Sequence, residues 1–440
     1  MKITNVQFTP GFSSFYFDDQ AAIKSGAAQD GFTYAGAPVT HGFETIRQPG
    51  ECISVLLQLE NGQWAEGDCA AVQYSGAGGR DPLFSAARYV PRMKDILRPL
   101  LLGLDVSKFT DNARFFDSLQ DDGGQLHTAI RYGLSQALLD ATAKSSGRLK
   151  VEVVCEEYSL PIDLSPLKLF GQSGDDRYGA VDKMVMKRVD ALPHGLINNV
   201  PVKLGETGGK LQEYVTWLVR RIQTLGSSDS YGPALHIDVY GTIGMIFDNA
   251  PEKIADYLAT LEERAAPFSL YIEGPIDMGN RPDQIKVLGA IRDALRSRGS
   301  QVKIVADEWC NTYSDIVEFV DAGCCHMVQI KTPDLGSIHN TIEAVRYCHS
   351  RDVEAYQGGT CNETDISARA CVHIAQATRP QRLLVKPGMG FDEGLTITVN
   401  EMHRNLSILA AKAAIATCRS HFRAMLPLRR DTQRVFQGSL

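Results

Sequence analysis

Three carboxylates stand where a metal-dependent enzyme would need them. Asp238 closes the run His236-Ile237-Asp238, Glu273 closes Tyr271-Ile272-Glu273, and Asp307 closes Ile304-Val305-Ala306-Asp307. Each ends a short apolar run, and successive acids lie about one strand-plus-helix repeat apart, so neighbouring strands of one sheet would present them at a common height. Three anions cannot converge uncompensated. Desolvation and repulsion would force protonation or expansion, and a divalent cation relieves both. Oxygen-only donors favour Mg²⁺ over zinc, and the chain has no His-x-His pair of the kind that zinc-dependent barrel hydrolases carry. Taken singly, each acid could instead cap the helix that follows it.

The next apolar run, Met327-Val328-Gln329-Ile330-Lys331, delivers Lys331 to the same rim, with Gln329 two residues back on the same face. A lysine beside a divalent cation has its pKa lowered by like charge, which makes it a usable base near neutral pH. Alone it would read as a surface or salt-bridged side chain. Three glycine-bearing stretches could close over a ligand: Gly171 to Asp176 with Gln172, Gln357 to Asn362 with Thr360 and Cys361, and Gln73 to Arg80. Glycines let backbone N–H groups turn inward to a carboxylate, and none of the stretches has the ending of a P-loop. His194, in Leu192-Pro193-His194-Gly195, is a candidate for the opposite wall, although a lone histidine there also reads as a loop residue.

The elements that would position these groups fall into two grammars. Up to about residue 160 the pattern is mixed: strand-like runs Ile53 to Glu60 and Gln63 to Cys69 flank Asn61-Gly62, a hairpin signal. A helix is expected over Leu126 to Lys144, with Gly147 as its stop. This predicts an N-terminal α+β capping domain, residues 1–160. Beyond it, eight short apolar runs alternate with amphipathic helices: Leu167–Gln172, Met184–Lys187, Leu235–Asp238, Leu270–Glu273, Val302–Asp307, Met327–Lys331, Glu354–Gln357 and Leu383–Lys386. Among the helices are Pro251 to Ala265 and Pro282 to Arg298. The pattern predicts an α/β fold, a (β/α)₈ barrel over 161–412. The stretch between Lys187 and Leu235 is too long for one unit and calls for an insertion. Residues 413–440, with Arg419, Arg423, Arg429, Arg430 and Arg434, carry too few apolar residues for a core and read as an exposed extension.

The chain has 440 residues, 44% of them hydrophobic, enough for two or three domains at roughly 150 residues each. With 45 Lys plus Arg against 52 Asp plus Glu, the net charge of -7 offers no field for a phosphate backbone, which argues against a nucleic-acid partner. No apolar run approaches the ~18 residues of a membrane span, and the N-terminus lacks a signal-peptide pattern, so a cytoplasmic protein is expected. The ten cysteines are scattered without metal-site spacing and read as free thiols, including the vicinal Cys324 and Cys325, which should be buried.

Taken together, these residues resemble the enolase superfamily, and more closely the methylaspartate ammonia-lyase family. The likeness runs from Phe12-Ser13-Ser14-Phe15-Tyr16-Phe17-Asp18-Asp19-Gln20 through Gln172, His236 to Gly241, Ala306 to Thr312, Val328 to Gly336 and Gln357 to Thr364, to Pro387-Gly388-Met389-Gly390-Phe391-Asp392-Glu393-Gly394. It implies a lyase that removes ammonia from L-threo-3-methylaspartate to give mesaconate, a homodimer that needs Mg²⁺ and is helped by a monovalent cation such as K⁺. It also implies Asp238, Glu273 and Asp307 as metal ligands, Lys331 as the base, His194 as a second catalytic group, and Gln172, Gln329, Thr360 and Cys361 as substrate contacts, with Gln73 a further candidate. The superfamily's Lys-x-Lys on the second strand has no counterpart, since Lys187 is followed by Arg188. The residues alone leave two other readings: a different superfamily reaction such as dehydration or racemisation, and a barrel recruited as a non-catalytic binding protein.

Overall fold

A computed structural model describes residues 1–425 except 78, 122–123, 227–229 and 389; of the side chains at 24 and 416–425 nothing is described. Gly78 of the N-terminal glycine stretch, Met389 of the Pro387 to Gly394 run, the Cys418, Arg419 and Arg423 side chains, and the tail from residue 426 with its three arginines therefore lie outside the described residues.

Eight parallel strands close into a barrel in sequence order. They are Leu169–Phe170, Ala191–His194, Ala234–Asp238, Leu270–Glu273, Lys303–Ala306, Met327–Ile330, Glu354–Gln357 and Arg382–Leu384, called here the first to eighth barrel strands. Seven overlap the expected runs. The second does not: Met184 to Met186 end a helix, Gly179–Met186, which Lys187 caps and whose buried residues Ala180, Val181, Met184 and Val185 recur at helical spacing. The strand itself, Ala-Leu-Pro-His, is short and contains a proline that lacks a ladder donor, so its signal is weak. Pro193 still contributes its carbonyl, which accepts from the Ser173 N–H at 2.9 Å. Moving the strand reduces the expected insertion to one π-helical turn, Val200–Leu204, before the helix Gly209–Leu225.

Ahead of the barrel, strands Ile3–Asp18, Arg47–Leu59 and Trp64–Cys69 form an antiparallel sheet. The second and third make the hairpin signalled by Asn61-Gly62, with Gly62 at φ 83° where a side chain would be strained. The helix Thr128–Ser146 is buried on almost all sides and stops at Gly147 in the left-handed conformation. It lies close on the sheet: a Cβ on Gly133 would meet the Cys69 backbone. Its other side faces the barrel helices, where Ser135 accepts from the Ile338 N–H at 2.9 Å. The hydrophobic core of the cap accordingly includes Ile338, Ile342, Cys371 and Ile374 of the barrel helices. Cap and barrel share apolar packing, which fixes the cap over one end of the barrel.

The last helix, Phe391–Met425, runs without a break through residue 413, where the extension is expected to begin, and Ile415 on it is exposed. All nine described cysteines are free and buried, Cys324 and Cys325 among them. No helix among the described residues is long and apolar enough to cross a membrane.

Candidate active site

In-register pairing of the third and fourth barrel strands puts Asp238 directly beside Glu273, and both are essentially inaccessible. Asp307 follows the fifth strand by one residue and Lys331 the sixth. His194 ends the second strand, four strands from the sixth in either direction around the closed ring, so it stands across the barrel from Lys331. One cleft is lined by His194, Asp307, Lys331, Gln172, Gln329, Thr360, Cys361 and, from the cap, Gln73. Asp238 and Glu273 are buried behind that lining. Every expected site residue thus lies on or immediately behind one cleft at the C-terminal rim.

The acids are not electrostatically at rest. Burial, and then the charge of neighbouring carboxylates, pushes Asp238 and Glu273 well above the usual carboxylate range; Asp307 adds to both. Neutral donors hold them in place. Tyr240 N–H donates to Asp238 at 3.1 Å, and the Tyr356 hydroxyl lies 2.7 and 2.8 Å from the two Glu273 oxygens. His236 Nε2 is 2.7 Å from Glu273, while its Nδ1 faces the Arg382 guanidinium at 3.3 Å. Since a guanidinium can only donate, Nδ1 is the acceptor and Nε2 carries the proton toward Glu273.

Asp307 has a charged partner, the Lys331 ammonium at 2.7 Å. Burial works most strongly against the Lys331 charge, but the carboxylates of Asp307, Asp334 and Glu308 together outweigh it, so the pKa is raised. This is the reverse of the direction expected beside a cation: the protein's own groups keep Lys331 protonated. His194 lies 3.5 Å from Asp238, and burial depresses it to about 4, so it is neutral near pH 7. Its backbone φ of 66° is unusual for a side chain of this size.

Mg²⁺ fits this donor set. Two buried carboxylates lack a full counter-charge, and a hard cation is what oxygen donors of that kind bind. His194, Asp238 and Glu273 can each offer a ligand atom within 4.8 Å of the others. Asp307 stays in the same electrostatic cluster while turning an oxygen to Lys331.

Around the cleft, Gln329 donates to the Tyr356 hydroxyl at 2.5 Å, and its Oε1 is buried without a partner. Gln73 is clamped by Asp18 at 2.6 Å, itself paired through two contacts with Arg47, and accepts from the Cys361 thiol at 3.3 Å. Burial drives that thiol up to about 12, so it is no thiolate at neutral pH. Sequence reasoning missed His236 and Tyr356, the residues that orient Glu273. His236 carried a usable signal, two residues before Asp238 on the same face of its strand. Tyr356 is recognisable only through its register opposite Gln329.

A capped parallel barrel with an acid-rich cleft at its C-terminal rim is a fold shared with muconate lactonizing enzyme from Pseudomonas fluorescens, which matches 86% of this chain and 85% of its own at a TM-score of 0.57, with 15% identity. Residues 1–159 match the model of the methylaspartate ammonia-lyase N-terminus and residues 161–411 that of its C-terminus. The chain belongs to the methylaspartate ammonia-lyase family. It is 66% identical to methylaspartate ammonia-lyase of Citrobacter amalonaticus over 412 residues, 94% of this chain and 100% of that one. The crystal structure of that enzyme containing (2S,3S)-3-methylaspartic acid superposes with a TM-score of 0.92, covering 93% of this chain and 100% of the other. The Mg complex of β-methylaspartase from Clostridium tetanomorphum, 52% identical, gives 0.89 over 94% and 100%.

Proposed function

We propose that the protein eliminates ammonia from L-threo-3-methylaspartate to give mesaconate, with Lys331 as the base. The observation that carries this reading is the pairing of Lys331 with Asp307 at the rim, beside two buried carboxylates and across the barrel from a neutral histidine. The C3 proton is too weakly acidic for an amine to remove unaided. A Mg²⁺ held by Asp238, Glu273 and Asp307 would supply the stabilisation of charge on the adjacent substrate carboxylate as that proton leaves. Lys331 accepts the proton once its own is gone, and turning the Asp307 charge away from it removes the largest of the interactions that keep it protonated. The unpartnered Gln329 Oε1 suits the substrate ammonium, and Gln172, Thr360, Cys361 and Gln73 fix the rest of the molecule through uncharged contacts. His194, neutral on the far wall, serves the epimer whose C3 proton projects toward it.

Family resemblance extends the proposal to activation by a monovalent cation such as K⁺, to a homodimer and to a cytoplasmic location. It also supports a cap over 1–160, a catalytic barrel over 161–412 and an extension at 413–440, since both family matches end by residue 411. The test is ultraviolet detection of mesaconate from L-threo-3-methylaspartate with and without Mg²⁺. Mg²⁺-dependent formation is expected; failure to form mesaconate, or equal rates after exhaustive chelation, would overturn the proposal.

A further inference from the structure

Beyond the cleft, a second set of charges is buried where the cap meets the barrel. Lys386, just past the eighth barrel strand, is 1% exposed and Glu363 is 0%. The three donors of the Lys386 ammonium meet three acceptors: the Glu363 carboxylate at 2.9 Å, the Thr332 hydroxyl at 2.9 Å and the Gly358 carbonyl at 2.7 Å. Thr332 donates to the same Glu363 oxygen at 2.7 Å, and Tyr132 of the cap helix Thr128–Ser146 donates to the other at 2.8 Å. No donor of the ammonium is left over.

The partners are what give this cluster a reach into the chemistry. Thr332 follows Lys331, and Gly358 opens the loop that carries Thr360 and Cys361. The far side of that loop is tied to the same cluster, because the Glu363 N–H donates to the Thr360 carbonyl at 3.2 Å. The cluster also accounts for the second of the paired glycines, and the cleft residue Gln329 for the first. A Cβ on Gly359, at φ 151°, would run into the Lys386 ammonium, and one on Gly358 would sit 2.9 Å from Gln329 Cγ.

We infer that Lys386 is a positioning residue: it binds the ends of the sixth, seventh and eighth strands into one unit and so sets where Thr360 and Cys361 stand relative to Lys331. The inference rests on the reading of those three residues given above. A loop that touches substrate in both ground and transition states acts mainly on binding, so its displacement raises KM more than it lowers kcat.

The experiment compares wild type, Lys386→Met and the charge-neutral Lys386→Met/Glu363→Gln protein for kcat, KM and melting temperature with L-threo-3-methylaspartate. Lys386→Met alone leaves a buried carboxylate without its cation and is expected to melt early; the double variant removes both charges and is expected to recover most of that loss. Its KM is expected to stay raised about tenfold or more, with kcat within about threefold of wild type. A wild-type KM in the double variant would overturn the inference and leave the cluster a purely structural one. Loss of kcat and of C3 deuterium exchange at unchanged KM would overturn it in favour of a role in the chemistry. Wild-type protein that leaves the substrate untouched removes the proposed function and this inference with it.

Discussion

Two buried groups of charges sit just beyond or at the strand ends of this barrel, and they are built on opposite principles. Around Lys386 every charge is matched: one cation, one carboxylate, and neutral partners for the remaining donors and acceptors. Around Asp238 and Glu273 the acids outnumber the cations that touch them, and neutral donors from Tyr356, His236 and Tyr240 orient the carboxylates without cancelling their charge. A matched cluster is finished by folding. An unmatched one costs stability until something positive arrives, which is the physical mark of a cation site.

The comparison breaks most visibly in activity. Asp238→Ala, Glu273→Ala and Asp307→Ala are each expected to lower turnover about a thousandfold or more, with the fold intact by circular dichroism, because each removes a donor from a site worth several kcal/mol. Normal activity and Mg²⁺ affinity in two of the three would end the triad assignment. Lys331→Ala is expected to lose the threo reaction and its C3 deuterium exchange by about 10²- to 10⁴-fold, while His194→Ala harms the erythro epimer more. Exchange measured for each epimer decides it, and equal loss of both epimers in both variants would sink the two-base assignment.

Stability should move in opposite directions at the two clusters. Glu363→Gln strips a matched cation of its partner and is expected to cost about 3 kcal/mol or more in urea unfolding. Asp238→Asn relieves repulsion and is expected to raise the melting temperature of metal-free protein. The sign with pH follows from the raised folded-state pKa values of Asp238 and Glu273. Their contribution is fully present below the unfolded carboxylate pKa of about 4 and is lost as pH rises through the folded values. The urea midpoint of metal-free protein should therefore fall from pH 5 to pH 8, less so in Asp238→Asn and with Mg²⁺ bound. Parallel slopes in all three conditions would show that the acids are already compensated.

Smaller effects sharpen the picture. Tyr356→Phe removes a donor that orients Glu273 but no charge, and calorimetry should find Mg²⁺ affinity weakened by about 10- to 100-fold. Cys361→Ala and Thr360→Ala should raise KM by roughly two- to tenfold with little change in kcat, since uncharged contacts hold substrate before and during reaction. Unchanged affinity with no turnover in Cys361→Ala would point instead to a thiol nucleophile.

The rim of the barrel was legible in the chain because strand ends announce themselves: Asp238, Glu273, Asp307 and Lys331 each close an apolar run, and strand alternation then turns Gln329 to the same side as Lys331. The second strand was not, since Ala-Leu-Pro-His is short and proline-bearing while Met184 and Val185 beside it pack at helical spacing. The lowered pKa expected of Lys331 belongs to a lysine beside a divalent cation, and the protein's own carboxylates, Asp307 foremost, act in the other direction, a balance that no local pattern encodes.

By itself, then, the order of residues determined which side chains reach the rim, because that depends only on periodicity and on where each apolar run stops. Which rim residues touch was decided by barrel closure and by the docking of the cap. Gln73 meets Cys361, Tyr132 meets Glu363, and Lys386 meets Gly358 and Thr332 across separations that no local pattern encodes. Whether a buried charge is matched or left open is likewise a sum over neighbours drawn from several strands, so it exists only once the chain has folded.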